Sequence, residues 1–285
     1  MSYKTILVCL ATEQAAEQIL PASCRLVRAF GAHMIGIHTL EALVLYPGIF
    51  LPGIALHYDD PRFTDFNREV REQDARIQDI FEAHTANKGF IAEWRSLLAH
   101  SEHASDQLIR SAFFCDLVVV ARPDRESERS HQIGAQHDLI MNSGRPVLRI
   151  PPDYGDKLIG SRVLLAWNAT REAAVAARAA LPFFFRAEET FVLTIASEQR
   201  HSISDILEGH EVAKMLGRHG VEPDVIHTGQ TEDSIGAQIL REAKNRNCDL
   251  IVMGAFGHSR LHSFFFGDAT QFMLENADVP ILYCN

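Results

Sequence analysis

Along the chain, short runs of consecutive apolar residues alternate with longer stretches in which apolar positions recur at helical spacing. Thr5-Ile6-Leu7-Val8-Cys9-Leu10 is the first such run, and an alanine-rich amphipathic stretch over residues 13–30 follows it. Met34-Ile35-Gly36-Ile37 comes next. Runs that are apolar at every position suit strands covered on both faces, and strands alternating with helices imply a parallel sheet between helical layers. The pattern therefore predicts the order β-α-β-α-β-α-β-α-β, and it predicts it twice.

The repetition is visible at residue level, and a repeat of this kind decides the domain organisation before any motif does. Cys115-Asp116-Leu117-Val118-Val119-Val120 matches Cys248-Asp249-Leu250-Ile251-Val252-Met253, each after an amphipathic run. Each block is followed, after a gap, by a run that opens on proline: Pro146-Val147-Leu148-Arg149-Ile150 and Pro280-Ile281-Leu282-Tyr283-Cys284. Arg162-Val163-Leu164-Leu165-Ala166-Trp167 answers the first run, and Phe191-Val192-Leu193-Thr194-Ile195 answers the second. The polar linker Pro151-Pro152-Asp153-Tyr154-Gly155-Asp156 divides the chain into domains of residues 1–150 and 157–285. The first carries an additional apolar segment near residues 43–63, broken by Pro47, Gly48, Pro52, Gly53 and Pro61. Prolines and glycines at that density exclude a regular helix or strand, so the segment is expected to pack over its own domain or to serve a partner.

Composition narrows the function. The 285 residues are 47% hydrophobic, enough for two cores. A net charge of −10 opposes a phosphate backbone, which argues against general nucleic-acid binding. The five cysteines (Cys9, Cys24, Cys115, Cys248 and Cys284) form no C-x-x-C pair and lie mostly in apolar runs, as expected in a reducing compartment. No stretch reaches the roughly 18 apolar residues that cross a bilayer, and the N-terminal run is too short for a signal peptide. A cytosolic protein without membrane contact is expected.

The chemistry concentrates after the fourth run of the second half, in Gly254-Ala-Phe-Gly257-His-Ser-Arg-Leu-His-Ser-Phe-Phe-Phe-Gly267-Asp268-Ala-Thr270. It starts where a strand ends, and a helical pattern starts where it finishes. In open α/β sheets ligands sit beyond the carboxyl ends of the strands, glycine admits close approach of backbone to phosphate, and a helix N-terminus offers unpaired N–H groups.

The spacing Gly254-x2-Gly257-x9-Gly267, with the run Gly-Ala-Phe-Gly-His-Ser-Arg-Leu, resembles the nucleotide-binding motif of the universal stress protein family in its tandem-domain form. The βα order of both halves agrees with it, so the resemblance covers nearly the whole chain. It implies two doubly wound α/β domains, each a five-stranded parallel sheet of order 3-2-1-4-5 with helices on both faces. It also implies a stress-response or regulatory protein that binds an adenine nucleotide in its second half. By resemblance, Gly254, Gly257 and Gly267 border the ribose and phosphates, His258 and Arg260 lie near the phosphates, and Asn168 and Ile195 face the adenine. Thr170, Ala269 and Thr270 complete the expected contacts. ATP, with Mg as its counter-ion, is the ligand the resemblance implies first, and AMP or another adenine ligand is the alternative.

Two positions depart from the family pattern. Asn168 stands where an aspartate is usual and so lacks the charge that could hold a metal. Asp268 follows the third glycine in place of serine or threonine. A carboxylate there either caps the helix or repels a triphosphate, with Thr270 left to supply the hydroxyl. The first half lacks the motif, with Ala121, Asp124 and Gly134 in place of the three glycines and Ala11 in place of the acid, so no nucleotide is expected in it. Its expected role is to pair with the second half within the chain.

His258 with His262, and His100 with His103, have helical spacing but no third ligand, so no metal site is expected. The sequence shows neither a Gly-x-Ser-x-Gly elbow nor a Walker lysine, and no catalytic residue is assigned. The phenylalanine runs at residues 183–185 and 264–266 are expected in cores or between domains. Slow ATP hydrolysis or adenylyl chemistry, and an interaction scaffold with a decayed site, remain as alternatives. A homodimer is compatible with the final run, residues 279–283, if that strand is an unpaired edge.

Overall fold

The computed structural model describes residues 2–40, 61–98, 104–123, 130–196, 203–256 and 267–285. The first half contains β1 (Thr5–Cys9), α1 (Glu13–Phe30), β2 (His33–Leu40), α2 (Pro61–Thr85), β3 (Ala92–Leu98), α3 (Ala104–Ala112), β4 (Leu117–Ala121), α4 (Ser130–Asn142) and β5 (Val147–Ile150). The second contains β6 (Arg162–Trp167), α5 (Arg171–Ala179), the short α6 (Leu181–Phe184), β7 (Glu189–Ala196), α7 (Ile203–Gly217), β8 (Asp224–Gly229), α8 (Ile235–Asn245), β9 (Leu250–Gly254), α9 (Gly267–Asn276) and β10 (Ile281–Cys284).

The ten strands of the described residues lie in one sheet of order β3-β2-β1-β4-β5-β10-β9-β6-β7-β8. Counted from its own first strand, each half runs 3-2-1-4-5, and within each half every pairing is parallel. The halves join back to back through β5 and β10, which pair antiparallel with Leu148 opposite Leu282. This corrects the expectation of an unpaired final strand. β10 is paired on both sides, by β5 and by β9, so it offers no edge to a second molecule.

The repeated Cys-Asp pair has a local reason. The Asp116 carboxylate accepts from the backbone N–H groups of Lys4 and Thr5, at 2.7 and 2.9 Å. Asp249 does the same for Gly160, Ser161 and Arg162, each at 3.0 Å. In each half this aspartate anchors the chain where the first strand begins. The helices after the first strands also start alike: the hydroxyls of Thr12 and Thr170 accept from the N–H groups of Ala15 and Ala173, as N-cap residues do.

One core lies on each face of the sheet. On one face α1, α2, α5 and α6 cover the inward residues of β1, β4, β6 and β9. Here Phe183 crosses from the second half to meet Tyr3 and Phe30 of the first, with ring centroids 5.0–5.6 Å apart and edge-to-face geometry. The Tyr3 hydroxyl donates to the Ala179 carbonyl at 2.6 Å. Phe184 is buried with them, whereas Phe185 is 44% exposed and departs from the expectation for that run. On the other face α3, α4, α8 and α9 pack over strand residues of both halves, among them Leu7, Ile35, Val147, Ile281 and Tyr283.

A buried arginine fastens the halves on that second face. Arg149 of β5, 3% exposed, donates to the carbonyls of Met273 and Leu274 near the end of α9. Arg122 donates to the Ala277 carbonyl at 2.7 Å, just beyond the same helix. Cations and donors at a helix C-terminus meet its unpaired carbonyls and oppose its negative dipole end.

Pro61–Phe63, included in the apolar segment near residues 43–63, instead begin α2, where proline suits a first helical turn. The rest of that segment, residues 43–60, lies outside the described residues. So do His100, His103, Asp124 and the second phenylalanine run. No helix among the described residues is long and apolar enough to cross a membrane.

Candidate functional site

The strand order reverses at β6, which has β9 on one side and β7 on the other. An open sheet leaves its crevice at such a point, beyond the carboxyl ends of the strands. A cavity of about 380 Å³ occupies that place, within the range of small-molecule sites. Ala166, Trp167 and Asn168 at the end of β6, Leu193 and Ile195 of β7, and Met253 and Gly254 of β9 form its floor. Ile235 and Ile239 of α8 make an apolar wall. Thr170, Arg171 and Glu172 at the start of α5, Ala269 and Thr270 of α9, and Phe256 close the remaining sides.

Of the expected site residues, the structure gathers Asn168, Thr170, Ile195, Gly254, Ala269 and Thr270 in this one cavity. Gly257, His258, Arg260 and His262 lie outside the described residues. Gly267 and Asp268 open α9, so the third glycine stands at a helix start. Residues near the starts of α5, α8 and α9 thus line one cavity.

Two assignments change in detail. Thr170 lines the cavity, but its hydroxyl is occupied as the cap of α5 and donates to Asn168 Oδ1 at 2.8 Å. Asn168 Oδ1 thus accepts within the turn, and the side chain carries amide donors that an aspartate lacks. Gly254 lines the cavity too, but its lack of a side chain serves packing. A Cβ at this position would lie 2.6 Å from the Ala173 backbone nitrogen and 2.7 Å from the Glu172 carbonyl carbon. Glycine is required because α5 rests directly on β9.

Phe256 sits in the left-handed region, with φ of 53°, an uncommon place for a bulky residue. Its ring meets His137 of α4 at 4.3 Å between centroids, so the first half supports one side of the cavity from behind. Ala169, with φ of 55°, makes the turn between Asn168 and the α5 cap.

Several cavity residues carry no motif. Glu172 is 5% exposed and lines the cavity. The Trp167 indole N–H is buried with no hydrogen-bond partner. In sequence Glu172 reads as an ordinary acidic residue in a first helical turn and Trp167 as a strand end. Only the packing of α5 against β9 places both in the cavity wall. Among the described residues no group of three His, Cys, Asp or Glu side chains could hold a metal ion.

The first half has a cavity of about 470 Å³ at the matching end of β1 and β4, bordered by Ala11, Thr12, Ala121, Arg122 and Gln136. Its build differs. Gln136 donates to the Ala121 carbonyl at 2.7 Å. Gly134, matched by sequence to the third glycine, falls inside α4 rather than at its start.

Fold and site together define a protein of two doubly wound α/β halves with a ligand-type crevice at the switch point of the second. Residues 161–284 match the sequence model of the universal stress protein family. A universal stress protein of Methanocaldococcus jannaschii is 34% identical over 83 residues, covering 28% of this chain and 49% of that relative, so the match spans about half of the relative's length. Among solved structures, a universal stress protein from Archaeoglobus fulgidus superposes with a TM-score of 0.70 at 15% identity, over 99% of this chain and 96% of its own. A putative universal stress protein from Pseudomonas aeruginosa gives 0.58 at 15% identity, over 99% and 93%. At such identities the structural likeness establishes the fold, here over the full length. Residues 161–284 are therefore similar in sequence to the universal stress protein family, and the whole chain shares the fold of its solved relatives.

Proposed function

We propose that the chain is a cytoplasmic stress-response regulator that binds an adenine nucleotide, ATP first among them, in the cavity of its second half. The observation that carries this reading is the convergence of three helix openings on an apolar cavity at the switch point, next to the residues that resemble the family's glycine motif. Leu193, Ile195, Ile235, Ile239 and Met253 suit a flat apolar base. The Asn168 amide can donate to a ring nitrogen, and the helix openings suit phosphate oxygens. Occupancy acts by changing shape or partner choice, and the first half serves as a fixed partner for the second.

Asp268 opposes a triphosphate in this reading, because a carboxylate at the second residue of α9 repels a polyanion brought to that helix start. Replacing it with serine should tighten ATP binding more than AMP binding.

The test is to denature freshly purified protein, identify any released nucleotide by mass spectrometry, and titrate ATP and AMP by calorimetry. About one adenine nucleotide per chain, lost in Gly257→Val, supports the reading. No released nucleotide and no heat on titration rejects it.

A further inference from the structure

The cavity of the first half, about 470 Å³, is large enough for a small molecule, and its walls are built differently from those of the second. Three glutamines line it: Gln14 and Gln18 of α1, and Gln136 of α4. The repeat sets each against another residue type. Counted from the caps Thr12 and Thr170, Gln14 and Gln18 answer Glu172 and Ala176. Counted from Gly134 and Gly267, Gln136 answers Ala269. No glutamine lines the second cavity. Two facing helices thus bring carboxamides to the first half alone.

These walls do not suit a phosphate. An anion is held by helix N-termini or by cations. Of the helices lining this cavity, α1 brings its start, and Thr12 caps it. From α4 the lining residues are Ala135, Gln136 and Leu139, past the first turn that opens at Ser130, where N–H groups bond within the helix. The Arg122 guanidinium donates to the Ala277 carbonyl of the other half, and Asp153 adds a carboxylate to the same lining. An uncharged guest fits better. Ala11, Ala15, Ala121 and Ala135 have short side chains that leave space between the walls, and Cys9, Val120 and Leu139 add apolar surface. A carboxamide carries a donor and an acceptor side by side, so it pairs with a group that presents the complementary two. Gln136 is already held at one end, where its Nε2 donates to the Ala121 carbonyl at 2.7 Å.

We propose that the first-half cavity is a second ligand site, for an uncharged heterocycle with a ring amide (a lactam or a cyclic ureide), recognised through the carboxamides of Gln18 and Gln136. The apolar surface takes the faces of the ring, and the carboxamides take its amide edge. A ring without that edge leaves polar groups of the site unpaired when it displaces water from them, and a site of this kind rejects such an analogue. Binding here is independent of any nucleotide in the second half.

The experiment is calorimetric titration of the full chain with two matched pairs, hypoxanthine with purine and uracil with pyrimidine, in which the second member lacks the amide. The wild type should bind at least one amide-bearing ring about 10-fold tighter than its partner, as expected for one or two hydrogen bonds. Gln18→Leu and Gln136→Leu should each bring that ratio towards one. Ala135→Phe, which fills the cavity, should abolish the binding, and thermal melts show whether each variant is folded. No binding of hypoxanthine or uracil up to about 1 mM overturns the inference. Equal affinity within both pairs overturns it as well. So does a preference that survives in all the folded variants, because the ligand then sits elsewhere. If one variant fails to fold, the remaining two and the wild-type ratios still decide.

Discussion

A Cβ on Gly254 would come within 2.6 Å of the Ala173 backbone nitrogen, so the end of β9 and the first turn of α5 meet with no room for a side chain. The glycine that opens the phosphate-type motif is thus also the contact on which α5 rests. Gly254→Ala should force α5 outwards and cost about 1–3 kcal/mol, the usual range for overpacking. Urea unfolding of the purified variant measures the loss. Because α5 carries Glu172 and borders Asn168, any ligand affinity should fall in the same variant. An unchanged unfolding midpoint would mean that α5 is free to move away.

Arg149 ties the first half to the end of α9, the helix whose other end borders the cavity. Arg149→Met keeps much of the side-chain volume and removes the donors, leaving carbonyls of α9 unmet at a cost of about 1–3 kcal/mol. Denaturant unfolding followed by tryptophan fluorescence should show the lower midpoint. Trp94 reports on the first half and Trp167 on the second, so loss of coupling between the halves would appear as two transitions in place of one.

The aromatic cluster on the opposite face makes the matching seam. Phe183→Ala removes the ring that meets both Tyr3 and Phe30, and a change of this kind costs about 3–5 kcal/mol. Tyr3→Phe keeps the ring and deletes only the hydrogen bond to Ala179, for about 0.5–1.5 kcal/mol. Thermal melts of the two variants should keep that order. Equal losses would indicate that the hydroxyl, rather than ring packing, dominates the seam.

The thiols give a pH dependence of known sign. Burial pushes Cys9 and Cys284 up to about 12, and Cys24, Cys115 and Cys248 up to about 11. A group whose folded pKa lies above its unfolded value of about 8.5 favours the fold while it is protonated. That contribution is complete below about pH 8.5 and is lost as pH rises through about 11 to 12. Melting temperature should therefore fall steadily across this alkaline range. At pH 8 the five thiols should react with a disulfide reagent many times more slowly in the native protein than in denaturant, since the thiolate is the reactive form. Fast native reaction of all five would contradict the burial.

The sequence by itself determined the two-fold repeat, the alternation of strand and helix, and the approximate place of the cavity at the end of β6 and β9. These are local properties. Consecutive apolar residues mark a strand covered on both faces, Thr12 and Thr170 cap helices through their own neighbours, and Gly254 stands at a strand end whatever surrounds it. Asp116 and Asp249 were legible as a repeated pair, although what they hold, the start of β1 and of β6, is a contact between segments more than 80 residues apart. Tertiary structure alone decided how the halves meet. Nothing in residues 279–283 says that their partner is β5 in antiparallel register, because strand pairing depends on which edges the finished sheets leave open. It also decided the inner chemistry of the cavity. Glu172 lies in a first helical turn where most carboxylates face water, and Trp167 ends a strand as many aromatics do. Only the seating of α5 on Gly254 buries Glu172 and brings it, with Trp167, into the wall of a single cavity.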